Sequence, residues 1–303
     1  MPGNGPILVV GQAGQVARCL QAAAQEQAIA LVCIGRPALD IAYPGAIERT
    51  IRDVAPSGII NAAAYTAVDK AEAEANEAFR INCTGPALLA RAAAARDIPF
   101  VHISTDYVFD GSGSRPYREN DPTSPLGVYG RSKRDGEVEV MTANPDAVVV
   151  RTSWVYSAYG ANFLKTMMRL AETHPVVRVV NDQRGAPTSA HVLAPALLKI
   201  AARLSELESG DLGGLYHLAA DGETTWFGFA DAIFDELKSR GRRAPDVVPI
   251  PTSEYPTPAK RPAYSVLDGT RMERVFGVRL PPWRESLTPC LDQIAPQKEP
   301  QPC

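Results

Sequence analysis

The sequence predicts an α/β fold in which helices cover both faces of a doubly wound parallel sheet, followed by a smaller C-terminal lobe. Short apolar runs rich in β-branched residues alternate with longer Ala-rich stretches through the first half of the 303 residues. Strands that are apolar throughout are typical of parallel sheets buried on both faces. A glycine turn directly after the first run is the second observation, because such turns open the first helix of dinucleotide-binding sheets.

Five strands and the helices between them are predicted in the first half. The predicted strands are 7–10 (ILVV), 31–34 (LVCI), 58–61 (GIIN), 100–105 (FVHIST) and a long strand that starts at Ala147 and runs through AVVVRTSWVY. The predicted helices are 15–27, 46–54, a single long helix over 67–97, and a helix around Tyr129 to Met141. Alternation of this kind indicates βαβ units.

The turn GQAGQVA at 11–17 predicts a dinucleotide-binding site. Gly11 and Gly14 let the backbone approach a pyrophosphate, and the N-terminus of the following helix offers unpaired N–H groups to it. Ala17 stands where a third glycine is common, and alanine satisfies the close helix packing required there. An ordinary tight turn is the competing interpretation.

The end of the second predicted strand indicates which dinucleotide binds. The residues there are Ile34, Gly35 and Arg36, with no Asp or Glu to hold a ribose 2′-hydroxyl. An arginine can pair with a 2′-phosphate, so NADP(H) is favoured, with NAD(H) as the alternative. Asp40 and Ile41 are expected to flank the adenine. In NAAAY at 61–65, small residues including Ala63 can let the cofactor lie on the sheet edge, although packing explains them equally well in isolation.

Tyr129 and Lys133 form a YxxxK element on a predicted helix, where i, i+4 spacing places both side chains on one face. The strand ending at Thr105 delivers a hydroxyl to the same edge of the sheet. A nearby ammonium favours the phenolate and is expected to lower the pKa of Tyr129, making it a proton donor and acceptor for ketone reduction. Lys133 is also expected to bind the nicotinamide ribose of the cofactor, which carries the hydride.

The second half is less regular. It contains predicted helices at Asn162 to Glu172, Ala190 to Leu207 and 224–241, a strand at Gly214 to Ala219, and extended proline-rich connections at 247–262. We expect residues 1–170 to form a Rossmann-type NAD(P)-binding domain, to which segments near 214–235 can return. Residues 171–295 are then the substrate-binding lobe, and 296–303 a flexible tail.

Composition argues against several other classes of protein. The net charge of −3 and the absence of a basic stripe argue against nucleic acid as a partner. No apolar run approaches the roughly 18 residues of a membrane span, and no signal peptide precedes the first strand. The five cysteines are scattered without CxxC spacing, which favours neither disulfides nor zinc and fits a cytoplasmic protein.

Several longer motifs carry a family resemblance. STDYVFDG (104–111), SPLGVYGRSK (124–133), RTSWVY (151–156), NDQRGAPT (181–188) and PTSEYPTPAKRP (251–262) closely resemble the dTDP-4-dehydrorhamnose reductases, a group of extended short-chain dehydrogenases. The resemblance covers nearly the whole chain. It implies reduction of the 4-keto group of dTDP-4-dehydro-β-L-rhamnose to dTDP-β-L-rhamnose, the last step in making that activated sugar.

The resemblance also implies roles for individual residues. Tyr129 is then the proton donor, Lys133 its partner and Thr105 the hydroxyl that tunes both. Gly14, Gln15 and Val16 cradle the pyrophosphate, and Ala64, Tyr65 and Thr66 line the cofactor. The implied contacts to the sugar nucleotide are Val68, Asp69, Thr105, Asp106, Tyr129 and Trp154, with Arg184 and Arg261 near the diphosphate.

The chain departs from the family pattern at one more place. Some members dimerise around magnesium bound by glutamates, but the matching positions are Cys19 and His191. Magnesium prefers hard oxygen ligands, so we expect no such metal, and either a monomer or a differently built homodimer. Two other functions stay open: a related 4-ketoreductase that makes another deoxysugar, and a non-catalytic NADP-binding regulatory subunit. The latter has no use for an intact Thr105, Tyr129 and Lys133.

Overall fold

The computed structural model describes residues 5–206 and 212–294. In chain order the strands are β1 (Ile7–Val10), β2 (Leu31–Ile34), β3 (Gly58–Asn61), β4 (Phe100–Thr105), β5 (Val148–Thr152), β6 (Val155–Tyr156), β7 (Val176–Val180), β8 (Arg184–Gly185), β9 (Thr188–Ser189), β10 (Gly214–His217), β11 (Thr224–Thr225) and β12 (Asp246–Ile250). The α-helices are α1 (Gln15–Glu26), α2 (Pro44–Val54), α3 (Val68–Ala71), α4 (Ala75–Phe79), α5 (Gly85–Ala94), α6 (Val128–Ala143), α7 (Phe163–Thr173), α8 (Ala190–Glu206), α9 (Trp226–Ser239), α10 (Thr270–Phe276) and α11 (Leu287–Ile294).

Six parallel strands form the central sheet in the order β10-β5-β4-β3-β1-β2. The chain moves outward from β1 to β2 and then crosses back to β3, so the strand order reverses between β1 and β3. In open α/β sheets, ligands bind outside the carboxyl ends of the strands at such a reversal. The predicted doubly wound α/β fold is confirmed.

Helices cover both faces of this sheet. Val9 and Ile60 belong to a core cluster with α1 and α8, while the preceding residues Leu8 and Ile59 pack on the opposite face with α2 and α5. Side chains alternate across a strand, so apolar residues at consecutive positions serve both cores. This double burial explains why the strands are apolar throughout.

The single helix predicted over 67–97 is wrong. The structure breaks it into α3, α4, a π-helical turn at Arg80–Thr84, and α5. The wide turn holds the fully buried Asn82, whose amide bonds with the backbone of Tyr65 and with Ser132 Oγ. Single π-helical turns within α-helices occur frequently at functional sites.

The long strand predicted from Ala147 also divides. Val148–Thr152 joins the main sheet, whereas Val155–Tyr156 pairs with Thr188–Ser189 in a separate two-stranded sheet. Between them Trp154 has a φ of 46°, and this left-handed conformation turns the chain out of the strand.

A second core builds the smaller lobe. Leu164 of α7, Val177 and Val179 of β7, Phe229 of α9 and Leu291 of α11 share one buried cluster. The later strand β10 extends the main sheet beside β5. Helix α8 packs on one face of the same sheet, although it lies in the range we assigned to the lobe. The apolar face of α8 packs on α1, which accounts for the difference. The boundary at residue 170 stays a prediction, and the tail 296–303 lies outside the described residues.

Candidate functional site

The carboxyl ends of β1, β3, β4 and β5 meet at one edge of the sheet, where most of the predicted site residues lie. The turn at Gly11 follows β1, Asn61 ends β3, and Thr105 ends β4 beside Thr152 of β5. The N-terminus of α6 brings Tyr129 to the same edge. The structure therefore gathers residues that are far apart in the sequence.

The glycine turn fits a dinucleotide pyrophosphate. Gly11 has a φ of 122°, and a Cβ there would lie 3.3 Å from backbone atoms of Ala62 and Ala63. Gly14 caps α1 with open space around its Cα, and no side chain caps that helix end or places an acid in its first turn. The first N–H groups of α1 are thus available to an anion.

The side chains of Gln15 and Val16 are engaged elsewhere. Gln15 Nε2 donates to the Val155 carbonyl at 3.2 Å, while its Oε1 accepts from Ser157 and Asn162 at 2.9 and 3.0 Å. Val16 packs against the core on the α1 face. These two residues can therefore offer only backbone N–H groups to a pyrophosphate, and the Gln15 amide joins α1 to the start of α7.

Charged side chains cluster after β2. Arg36 is mostly exposed and lies 3.6 Å from Glu77, whereas Arg80 pairs with both Asp40 and Glu77. Arg80 lowers the pKa of Glu77, and hydrogen bonds from Ala42 and Arg80 lower that of Asp40 against the effect of its burial. Arg36 is the more available cation of the two. Because Ile41 is buried in the core against Gly85, its side chain does not flank a ligand as we expected.

The segment after β3 is held open by amide side chains. Ala63 N–H donates to Asn61 Oδ1 at 3.1 Å, and Tyr65 N–H donates to Asn82 Oδ1 at 2.8 Å. The Tyr65 hydroxyl donates to Glu74. Ala63 and Ala64 are half-buried and Thr66 is exposed, and their contact with a cofactor stays a prediction.

Tyr129, Thr105 and Asp106 form a buried group at the carboxyl edge. Burial raises the pKa of Tyr129 to about 12, a hydrogen bond with Thr105 opposes this rise, and the charge of Asp106 adds to it. Thr105 Oγ1 donates to Asp106 Oδ1 at 3.0 Å. Burial raises the pKa of Asp106 to about 6. The phenol of Tyr129 is therefore protonated at neutral pH and suited to donate.

The expected effect of Lys133 on Tyr129 is wrong for this conformation. Lys133 Nζ donates to the Ile103 carbonyl at 2.6 Å and lies 3.3 Å from His102 Nε2, beneath the end of β4. Burial lowers the pKa of Lys133 to about 8, and Glu137 partly opposes that shift. In this conformation burial, Thr105 and Asp106 set the pKa of the phenol, and Lys133, which is bonded to the Ile103 carbonyl, does not lower it.

Two buried oxygens face this edge without a partner among the described residues. They are Asp106 Oδ2 and Thr152 Oγ1. A buried polar atom without a hydrogen bond is costly unless a ligand or water satisfies it. Asp106 was predicted to contact the sugar, whereas Thr152 was missed, because a threonine at a strand end carries no distinctive signal in a sequence.

Trp154 lies at the junction of sheet and lobe, stacked on Trp226 with ring centroids 3.6 Å apart. Gly185 lies against the same indole, since an added Cβ would overlap the ring. Trp154 is thus part of an aromatic stack, and its role as a sugar platform stays a prediction that needs an uncovered part of the ring.

The other predicted substrate contacts pair with acidic side chains. Arg261 donates to both oxygens of Asp69, at 3.1 and 2.9 Å, and lowers the pKa of that carboxyl. Arg184 is largely exposed and donates to Glu223 at 2.6 Å. Val68 packs near Tyr129 in a small apolar cluster. Asp69 and Arg261 therefore join α3 to the lobe, and neither arginine is a free cation in this arrangement.

Sequence reasoning missed the buried polar network behind the site. Glu137 accepts from Arg151 and from Ser104, and its pair with Arg151 is 97% buried on both sides. His102 and Asn61 form a second buried pair. Glu137 lies four residues after Lys133, and that spacing on the helix face was the available signal.

Cys19 and His191 stand where some family members have the glutamates that bind magnesium. In this chain Cys19 Sγ lies 3.8 Å from His191 Nδ1. Burial raises the pKa of Cys19 to about 12, so the thiol is neutral. Within residues 5–206 and 212–294, no three His, Cys, Asp or Glu side chains are arranged to hold a metal ion. The same residues contain no helix long and apolar enough to cross a membrane.

Comparison with known proteins finds relatives that span most of the chain. The sequence is 48% identical over 283 residues to the dTDP-4-dehydrorhamnose reductase of Sinorhizobium fredii, spanning 92% of this chain and 94% of that protein. A crystal structure of a dTDP-4-dehydrorhamnose reductase from Clostridium acetobutylicum superposes with a TM-score of 0.88 at 37% identity, over 95% of this chain and 99% of that one.

A third relative was solved with a cofactor. The dTDP-4-dehydrorhamnose reductase of Bacillus anthracis, in complex with NADP, has a TM-score of 0.88 at 33% identity and covers 96% of this chain and 100% of that one. The family model described as the RmlD substrate binding domain matches residues 5–295. The chain therefore belongs to the RmlD substrate binding domain family, the family of the dTDP-4-dehydrorhamnose reductases.

Proposed function

We propose that this chain reduces the 4-keto group of dTDP-4-dehydro-β-L-rhamnose, giving dTDP-β-L-rhamnose. The observation that carries the proposal is the phenol of Tyr129, buried with Thr105 and Asp106 at the carboxyl edge of the central sheet, where β4 ends. Relatives along nearly the whole chain bear the name of this activity.

The residues divide the chemistry between them. Tyr129 gives its phenolic proton to the carbonyl oxygen, and Thr105, whose hydroxyl turns from Asp106 to the substrate, donates a hydrogen bond that orients that oxygen. Asp106 Oδ2, buried and without a partner among the described residues, accepts from a sugar hydroxyl. When bound, the nicotinamide cofactor supplies hydride to the carbonyl carbon, so that one hydride and one proton convert the ketone to an alcohol.

NADP(H) is the cofactor we infer, with NAD(H) as the alternative. Gly11, Gly14 and the N-terminus of α1 would hold the pyrophosphate, and Arg36 would pair with a 2′-phosphate. The exposure of Arg36 and the lack of an acid at the end of β2 support this choice, as does the NADP complex of the Bacillus anthracis relative.

The cysteines and the residues at the magnesium positions bear on the location and the oligomeric state of the protein. We propose a cytoplasmic enzyme, since Cys19, Cys33, Cys83 and Cys290 are all unpaired. A monomer or a homodimer without magnesium at Cys19 and His191 is the expected state, because a neutral thiol and an imidazole are poor ligands for that ion.

The direct test is turnover with identified product. The purified protein is incubated with dTDP-4-dehydrorhamnose and NADPH or NADH, the loss of cofactor absorbance is followed, and the product sugar is identified by NMR. We expect dTDP-rhamnose, formed faster with NADPH. An epimeric sugar would replace the substrate assignment by the related 4-ketoreductase, and no oxidation with either cofactor would exclude a reductase.

A further inference from the structure

Three buried side chains link β3 and β4 to the catalytic helix α6. Asn61 Nδ2 lies 3.0 Å from His102 Nδ1, and His102 Nε2 lies 3.3 Å from Lys133 Nζ. Their side chains belong to residues that are 1%, 0% and 2% exposed. Because water does not reach these three side chains, neighbouring protein groups determine which atom carries each proton.

The orientation of the Asn61 amide is fixed by the backbone. Ala63 N–H donates to one atom of that amide at 3.1 Å, and a backbone N–H can only donate, so this atom is the oxygen. The amide nitrogen therefore faces His102. Since an amide nitrogen also only donates, His102 Nδ1 accepts this bond and carries no proton.

The proton of His102 then lies on the opposite nitrogen. Burial lowers the pKa of His102 well below its usual value, and Nδ1 already accepts from Asn61, so the ring is neutral. Its one N–H is at Nε2 and points to Lys133. An ammonium group has three donors and no acceptor, whereas a neutral amine can accept from His102 and still donate to the Ile103 carbonyl.

We propose that His102 is a positioning residue for Lys133: the Nε2–H of the imidazole, oriented by Asn61, favours the amine form of the lysine over the ammonium. This inference rests on the role of Lys133 as the partner of Tyr129, which the family resemblance implies for the enzyme with its cofactor bound. The hydrogen bond from His102 acts on the pKa of Lys133 in addition to burial, because this bond is lost when Lys133 gains a proton.

The other charged groups near Lys133 do not supply the same control. On α6, Glu137 raises the pKa of Lys133, but both of its oxygens already accept from Arg151 of β5, and one also accepts from Ser104 of β4. Tyr129 on the same helix is protonated, and Asp106 after β4 acts on Tyr129. Burial leaves the pKa of Lys133 at about 8, where the loss of one hydrogen bond changes its charge near neutral pH.

The direction in which the pKa of Lys133 changes determines how the pH dependence of reduction changes. The family resemblance makes Lys133 the partner of Tyr129 when the cofactor is bound, a role that needs the ammonium, so reduction is expected to slow above the pKa of Lys133. Removing the Nε2–H removes an interaction that favours the amine, which raises the pKa of Lys133. The alkaline limb of the activity profile then moves to higher pH, by about one pH unit for one hydrogen bond.

Nuclear magnetic resonance tests this on the protein without added cofactor or substrate. Nitrogen-15 shifts of the four histidines report which ring nitrogen carries the proton, and ¹³C-labelled lysine reports the titration of Lys133, assigned with a Lys133→Arg variant. We expect a neutral His102 protonated at Nε2, and an upward displacement of the Lys133 midpoint by about one pH unit in His102→Phe.

A second variant keeps the test decisive if His102→Phe does not fold. In Asn61→Asp, the carboxylate accepts from both Ala63 N–H and the imidazole, which moves the ring proton to Nδ1 and leaves Nε2 as an acceptor for an ammonium. The Lys133 midpoint should rise here too. A proton on Nδ1 in the unsubstituted protein, or an unchanged Lys133 midpoint in these variants, overturns the proposal. Both measurements are independent of turnover, so their failure leaves the role of Tyr129 untouched.

Discussion

Asp106 shows how one buried carboxyl links the site to the stability of the fold. Burial raises its pKa to about 6 from a usual 3.8, so the folded chain holds this proton more tightly than the unfolded chain does. The contribution of this proton to the free energy of unfolding is present at low pH and is lost as the pH rises through the pKa of Asp106 in the folded protein. Between about pH 4 and pH 6 the loss reaches about 3 kcal/mol.

The Asp106→Asn variant removes this titration. Its free energy of unfolding relative to the unsubstituted protein should increase by up to about 3 kcal/mol between pH 4 and pH 7. Urea unfolding of both proteins at the two pH values measures the change. A difference that is the same at both pH values would show that Asp106 is ionised throughout.

Arg36 is the residue on which cofactor choice depends. Arg36→Ala should raise the KM for NADPH by about 10- to 100-fold through loss of a charge-assisted hydrogen bond, and leave the KM for NADH nearly unchanged. Arg52→Ala is the matched control, since Arg52 is also exposed and pairs with the adjacent Asp53. Equal losses with both cofactors would place the 2′-phosphate elsewhere.

At the scale of elements, prediction succeeded where one local signal was sufficient. The strands β1 to β4 have the predicted bounds, because uniformly apolar runs between turn residues have few alternatives. The break within 67–97 could not be predicted, since it depends on bonds from Asn82 to Tyr65 and Ser132, which the fold brings together. The direction of Lys133 depends in the same way on His102 and the Ile103 carbonyl.

The pair of Arg261 and Asp69 connects the lobe to α3, and its geometry suits only arginine. Arg261→Lys loses the two-point contact and should raise the KM for the sugar nucleotide by about tenfold, with kcat little changed. Lys260→Ala, at an exposed neighbouring position, is the control. Steady-state kinetics with varied substrate measure both, and an unchanged KM in Arg261→Lys would mean that this contact does not shape the substrate site.

At the scale of the whole molecule, the sequence predicted the sheet and its binding edge but not the path of the chain between the lobes. Alternating helices and strands indicate a parallel sheet, and the carboxyl ends of its strands locate the site. The expected division allowed segments near 214–235 to return to the first domain, and β10 does join the sheet beside β5, whereas the packing of α8 on α1 was not expected because local patterns do not specify it. The main sheet and the helices on its faces therefore come from both halves of the chain, while α7, α9 and α11 share a separate core.

The central claim is that Tyr129 gives the proton to the carbonyl oxygen, and Tyr129→Phe tests it most directly. The phenylalanine keeps the ring and its edge contact with Tyr107 while removing the hydroxyl. We predict that kcat with dTDP-4-dehydrorhamnose and NADPH falls by about 10²- to 10⁴-fold, while the Kd for NADPH stays within about twofold. Turnover close to that of the unsubstituted enzyme would contradict the account, because the proton would then come from another group.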